Sequence, residues 1–453
     1  MGKGIENRAS RRAKTVCGFL LAASLSVITT RAALAIPSFA RQTNLSCNSC
    51  HNGFPKLNSF GRIFKLNAYT LTGIKAIEST GNNNPSLKLT SFMPMSASVE
   101  TSLTSIRKAE PGKKGFDVEF PQQLSFFLAG EITPHLGTFI QATYDDQSGQ
   151  FGWDNADIRL ATRTRLGKKD AIVGLTLNNN PTVQDVWNTA PAWSFPFVAS
   201  GVAPAVPISA LSAGPLAQQV AGLGAYMFYS NRVYGEISFY ASTPQGGPHP
   251  ADGTSADTLA GMNPYWRLAY QAQLGDSRVL EVGTYGFAAR LYPQGVTGPT
   301  DRYTDLALDL QYEQRLGPGG LSVYANWVHE RQNLLASFAS GSVSQALNDV
   351  ESLAANAAYV LRNTYGLTVG VFSLHGTVDP ILYVSESVTG SRRHLPNGSG
   401  VIVQATLYAW QNTMFALQYT LYTRFNGAAT NYDGFGRNAR DNNTLYGVFW
   451  IAF

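Results

Sequence analysis

From residue 90 onward the chain alternates between apolar and polar positions. In Leu306-Ala307-Leu308-Asp309-Leu310-Gln311-Tyr312-Glu313 the leucines and Tyr312 share one face of an extended segment, and Asp309, Gln311 and Glu313 share the other. Phe415, Leu417, Tyr419 and Leu421 alternate in the same way with Ala416, Gln418, Thr420 and Tyr422, and Ile158 and Leu160 with Asp157 and Arg159. A period of two is the mark of a β-strand. Sixteen such segments follow one another, the first at 91–104 and the last at 441–453, separated by Gly, Asn, Asp and Pro. An even number of alternating segments of roughly ten residues is the signature of a transmembrane β-barrel. No apolar run reaches the length of a membrane-spanning helix. Charges in a lipid-spanning strand must face water, so Asp157, Arg159, Arg267, Glu281, Asp305, Asp309 and Glu313 are predicted to line a lumen. Short connections such as Thr133-Pro134-His135-Leu136 and Gln411-Asn412 alternate with longer ones, which predicts periplasmic turns and extracellular loops respectively. One connection, 179–221, is unusually long and carries Trp187 and Trp193. Two readings of it stand: a loop folded inward over the channel, or a surface loop. The terminal run Leu445 to Phe453 ends on phenylalanine, as the assembly signal of outer-membrane proteins does.

The first ninety residues have a different texture. Residues 1–35 read as a secretory signal, with Arg11, Arg12 and Lys14 ahead of an apolar run from Val16 to Ile28 and an Ala33-Leu34-Ala35 cleavage site. In 36–89, Leu57, Phe60 and Phe64 are spaced three and four apart and predict one short helix with these residues on a common face. Gly81-Asn82-Asn83-Asn84-Pro85 breaks the pattern as a linker would. A segment this small needs support from the barrel or from a bound group.

Charge then narrows the partners. Residues 1–35 hold six of the 34 Lys and Arg and one of the 29 Asp and Glu, so the remainder carries 28 of each. The mature surface therefore has no overall basic field for nucleic acid. A charged fraction of 14%, with 43 glycines and 21 tyrosines, suits a barrel with many turns and interfacial aromatic girdles set in outer-membrane lipid.

Cys17 lies in the predicted signal, which leaves Cys47 and Cys50 in Cys47-Asn48-Ser49-Cys50-His51. C-x-x-C-H is the spacing of c-type haem attachment: two thiols form thioethers to one porphyrin, and the adjacent imidazole takes an axial position on the iron. A zinc site would need further ligands nearby, a redox dithiol a βαβ setting, and a simple disulfide remains open. For the sixth iron ligand Met93 is the candidate downstream. Met95 shares a strand face with Ala97, Val99 and Leu103, away from the lumen. His135 suits only a haem low in the barrel, and His249, His329, His375 and His394 only one set high. No hydrolase, nucleotide-binding or zinc-protease motif is present, so whether the chain is an enzyme stays open beyond the chemistry of the haem.

The stretches Pro37 to Thr43, Cys47 to His51, Phe54 to Lys65 and Tyr432 to Asn438 resemble the fused monohaem cytochrome–porin family of Gram-negative outer membranes, which includes outer-membrane iron oxidases. The resemblance implies an all-β transmembrane barrel of about sixteen antiparallel strands at 90–453. It also implies a small helical cytochrome segment at 36–89 plugging the lumen, with one covalent haem c on Cys47, Cys50 and His51. It implies electron transfer from an extracellular donor such as Fe(II) to a periplasmic cytochrome or other carrier. A passive channel with a haem-bearing plug and a periplasmic haem sensor are the alternative expectations.

Overall fold

The computed structural model of the chain describes residues 36–71, 76–77, 89–90, 92–205, 208–243, 250 and 257–453. The predicted signal and the Gly81–Pro85 linker lie outside the described residues.

All sixteen predicted segments form strands of one closed antiparallel sheet. In chain order they are β1 Met95–Ile106, β2 Phe116–Thr133, β3 Leu136–Asp145, β4 Gln150–Leu166, β5 Lys169–Asn178, β6 Val220–Tyr229, β7 Val233–Ser242 and β8 Asn263–Gln273. The second half comprises β9 Arg278–Tyr292, β10 Asp301–Leu316, β11 Gly319–Asn333, β12 Leu347–Leu361, β13 Tyr365–Gly376, β14 Gly398–Trp410, β15 Thr413–Arg424 and β16 Thr444–Ala452. Each strand pairs with its neighbours in sequence, and β16 closes on β1 from Thr444↔Ile106 to Ala452↔Ser98. Closure removes every sheet edge, which a lipid-exposed sheet requires.

Burial is inverted relative to a water-soluble domain. On β10, Leu308 is 54% exposed while Asp309 is 4% exposed. Leu268 and Tyr270 face outward on β8 where Arg267 is fully buried, and Phe415 and Leu417 face outward on β15 where Gln418 is buried. An apolar belt outside and a polar interior identify a transmembrane barrel. The two ends differ: tight turns at Gly167, Gly317 and Gln411-Asn412 mark one rim, and long loops the other.

The lumen is filled from both ends. Between β5 and β6 the described residues 179–205 fold inward: Thr182, Val183, Val186 and Trp187 have no exposed surface. The N-terminal segment forms α1 Pro37–Thr43, a 3-10 turn at Cys47–Ser49, and α2 Ser59–Leu66. Its partners run around the barrel. Tyr69 Oη donates to Asp157 on β4 at 2.7 Å, Tyr226 Oη on β6 donates to the Leu66 carbonyl at 2.7 Å, and Arg62 pairs with Glu313 on β10 at 3.0 Å. Gly53 abuts Val360 and Tyr408 on β12 and β14, and Phe54 stacks on Trp450 of β16 with ring centres 5.2 Å apart.

The expected apolar face of α2 is only partly realised. Phe64 is buried, but Phe60 is 40% exposed, and Arg62 and Lys65 are buried instead. The helix faces a wall of carboxylates and loop carbonyls, so ion pairing rather than an apolar stripe sets its rotation. It also stops at Leu66, because Ala68 and Tyr69 turn into the left-handed region at φ 58° and 55°.

Candidate functional site

The turn at Cys47–Ser49 gathers the three residues of the C-x-x-C-H peptide. The backbone N–H groups of Cys50 and His51 both donate to the Cys47 carbonyl, at 3.1 and 3.0 Å. Asn58 then ties the peptide to α2. Its Oδ1 caps the helix by accepting from the N–H groups of Phe60 and Gly61, both at 3.0 Å, and its amide donates to the carbonyls of Asn48 and Ser49 at 3.3 and 3.1 Å. Gly61 packs directly on the Cys50 carbonyl, with no room for a methyl group. Gly61→Ala is therefore expected to loosen the turn by about 1–3 kcal/mol. The readout is faster maleimide labelling of Cys47 and Cys50 in protein isolated with free thiols, and an unchanged labelling rate contradicts this packing.

Both cysteines are free, and burial pushes their thiols up, Cys47 to about 12 and Cys50 to about 11. His51 is held neutral, its pKa lowered by burial to about 4. Its Nδ1 lies 3.0 Å from the Pro55 carbonyl. A carbonyl only accepts, so Nδ1 carries the proton and Nε2 keeps its lone pair. An imidazole fixed through Nδ1–H on a backbone carbonyl has the tautomer of a metal-ligating histidine. Among the described residues, no three His, Cys, Asp or Glu side chains converge as a metal cage would require.

Cys47, Cys50 and His51 line one cavity of about 440 Å³, within the roughly 300–1,000 Å³ typical of ligand and cofactor sites. Phe39, Phe54, Phe64, Tyr69, Phe127, Phe139, Trp193, Phe197, Tyr408 and Trp450 supply most of its aromatic wall. Two thiols, a neutral imidazole and an aromatic wall are the groups a covalently mounted porphyrin needs, and the residues fit it. The cavity runs from Tyr408 and Met414 beside the short-turn rim to Asp154 and Asn155, four and five residues into β4 from its long-loop end.

The inward loop closes the cavity from the long-loop side. Asp185 meets Arg267 on β8 at 3.3 Å, and the Gln184 carbonyl accepts from Arg159 on β4 at 2.9 Å. Residues 191–194 and 196–198 line the cavity. The loop then reaches the opposite wall. Gln122 on β2 donates to the Ala199 carbonyl at 2.9 Å, Ser200 meets Thr104 on β1 at 2.7 Å, and Tyr422 on β15 donates to the Pro204 carbonyl at 3.2 Å. Lys65 joins plug to loop by donating to the carbonyls of Val183 and Asp185 at 2.6 and 2.9 Å. Burial, reinforced by nearby Arg159, lowers the Lys65 pKa to about 7.

The predicted lumen row is buried and engaged. Arg267 faces Asp185, Glu281 and Asp309, Arg159 pairs with Asp157 at 2.8 Å, Arg62 pairs with Glu313, and Asp305 accepts from the Ser212 N–H at 2.9 Å. Met93 is 66% exposed and takes no part in the cavity wall, and Met95 faces outward as its parity requires. His135 lies in the β2–β3 turn, bonded to the Ala161 carbonyl at 3.1 Å. His329, His375 and His394 lie outside the cavity wall, and His249 falls outside the described residues. The methionine on the wall is Met414, which shares a strand face with Ala416 and Gln418. The alternation of β15 carried that signal. Lys56 on the same wall had none, since it stands in irregular chain between Pro55 and Leu57.

No protein-family model and no curated protein matches the chain. Among solved structures, the outer-membrane-expressed OmpT of Vibrio cholerae is 10% identical, covering 84% of this chain and 100% of its own, with a TM-score of 0.43. Salmonella typhi OmpF, solved with daunomycin, is 12% identical over 84% of this chain and 100% of its own, with a TM-score of 0.45. The channel DcaP of Acinetobacter baumannii is 9% identical over 79% of this chain and 96% of its own, with a TM-score of 0.42.

Proposed function

We propose that the chain is an outer-membrane electron conduit of a Gram-negative bacterium, in which Cys47 and Cys50 hold one haem c through thioethers and His51 ligates its iron. Electrons enter from an extracellular donor such as Fe(II) and leave to a periplasmic carrier. The observation that carries this reading is the meeting of two free thiols and an Nδ1-anchored imidazole on one aromatic cavity inside the barrel. When bound, the haem supplies a one-electron Fe(III)/Fe(II) couple.

The protein's own groups do the rest. The Pro55 carbonyl fixes the imidazole tautomer, and aromatic rings form much of the surrounding wall. The hydrocarbon layer is about 25–30 Å thick. A redox group at either rim leaves most of that distance uncrossed, and the reach of the cavity from Met414 to Asp154 supports one held inside the span. The ion pair from Arg62 to Glu313 on β10 and the hydrogen bonds from Lys65 to the loop favour a fixed plug over an open pore.

The test is full-length protein made in a host with cytochrome maturation. One haem retained per chain on a denaturing gel, with complete reduction of its absorption by Fe(II), is the expected result. Haem-free protein that conducts ions freely in planar bilayers overturns the reading in favour of a passive channel.

A further inference from the structure

Among the described residues, five cations are buried in and around the plug, and four of them have oxygen partners. Arg62, Arg159 and Arg267 each face carboxylates, and Lys65 Nζ donates to two carbonyls. Lys56 differs. It is 5% exposed and forms no ion pair among the described residues. Its Nζ stands 5.8 Å from the ring centre of Phe197 and 5.5 Å from that of Tyr324. Aromatic faces offset the cost of burying an ammonium only modestly. Lysine is almost never found so deeply buried without an anionic partner. The side chain belongs to the wall of the cavity that Cys47, Cys50 and His51 share.

We propose that Lys56 is the counter-ion for a carboxylate of the molecule that fills this cavity. The inference rests on the proposed function, under which that carboxylate is a haem propionate. An anion beside Lys56 gives the fifth cation an oxygen partner, as the other four have, and gives the porphyrin a third point of attachment besides the thioethers and the iron. Orientation about the thioether edge then depends on a charge five residues beyond His51.

Full-length, matured wild type is compared with Lys56→Met and Lys56→Arg. Heat-modifiable gel mobility reports barrel folding, pyridine haemochrome reports covalent haem, spectroelectrochemistry reports the midpoint potential, and resonance Raman reports the propionate bending bands. Lys56→Met is expected to keep its thioether haem, to lower the midpoint potential because a nearby positive charge is lost, and to shift the propionate bands. Lys56→Arg is expected to restore both towards wild type. A Lys56→Met protein with wild-type potential and wild-type bands overturns the proposal while leaving the conduit standing. A free carboxylate at the site is the reading if added acetate perturbs the wild-type spectrum but not that of Lys56→Met, with propionate bands unmoved, and this too overturns the propionate assignment. Wild type that matures without haem removes the conduit and this inference together.

Discussion

His51→Ala is expected to abolish reduction of the protein by Fe(II) while leaving the barrel folded. The imidazole sits in no strand, and its hydrogen bond is to Pro55 within its own loop, so the sheet does not depend on it. Losing a partner one shell out from a metal commonly costs about 10–100-fold in affinity or activity. Under the proposed ligation, loss of His51 is expected to cost more than that, read by stopped-flow absorbance at the Soret maximum. Heat-modifiable mobility and the conductance in planar bilayers should match wild type. A variant that is reduced at the wild-type rate removes His51 from the mechanism, whatever its haem content. Cys47→Ser with Cys50→Ser separates attachment from ligation: the pair should lose covalently retained haem on denaturing gels, whereas His51→Ala retains some.

The largest stability effect is expected at Arg267. Its guanidinium lies 3.3 Å from Asp185, 3.3 Å from Glu281 and 2.6 Å from Asp309, and all four side chains are fully buried. Thr189 adds a hydrogen bond to Asp309, and Asp185 accepts from the N–H groups of Trp187, Thr189 and Ala190. Arg267→Met leaves three carboxylates facing one another in a fully buried site. Breaking a buried pair by deleting one partner costs about 3–5 kcal/mol. Because Asp185 belongs to the inward loop, the loss is expected to free residues 183–190 from β8 and β10. Thermal unfolding in detergent should begin at lower temperature, and single-channel conductance should rise. Unchanged conductance with unchanged melting would show that the loop is held by its other contacts alone.

Reading the chain as sixteen strands succeeded because each lipid-facing row is apolar and each opposing row polar, so period and face coincide. Leu306 and Leu308 against Asp309 and Gln311 is one instance among many. The interior was harder to read. A polar lumen position looks the same in sequence whether it meets water, as in an open channel, or a partner from another segment. Asp309 and Glu313 gave no sign that their partners would be Arg267 and Arg62. For the same reason the sequence leaves two readings of the connection 179–221, since Asp185 finds its cation only across the barrel. At the site, the clustering of Cys47, Cys50 and His51 was legible because their spacing is local. Met414 and Lys56 reach the cavity through tertiary placement, and Met93, nearer in sequence to the peptide, faces away from it.

The bond between Lys65 and the carbonyls of Val183 and Asp185 bears on the chronology of biogenesis. Without the N-terminal stub those two acceptors would sit in the bore with their ammonium partner missing, and Asn188 would lose the Leu57 N–H it accepts at 2.8 Å. The inward loop is thus expected to complete its docking on a stub already threaded into the cylinder.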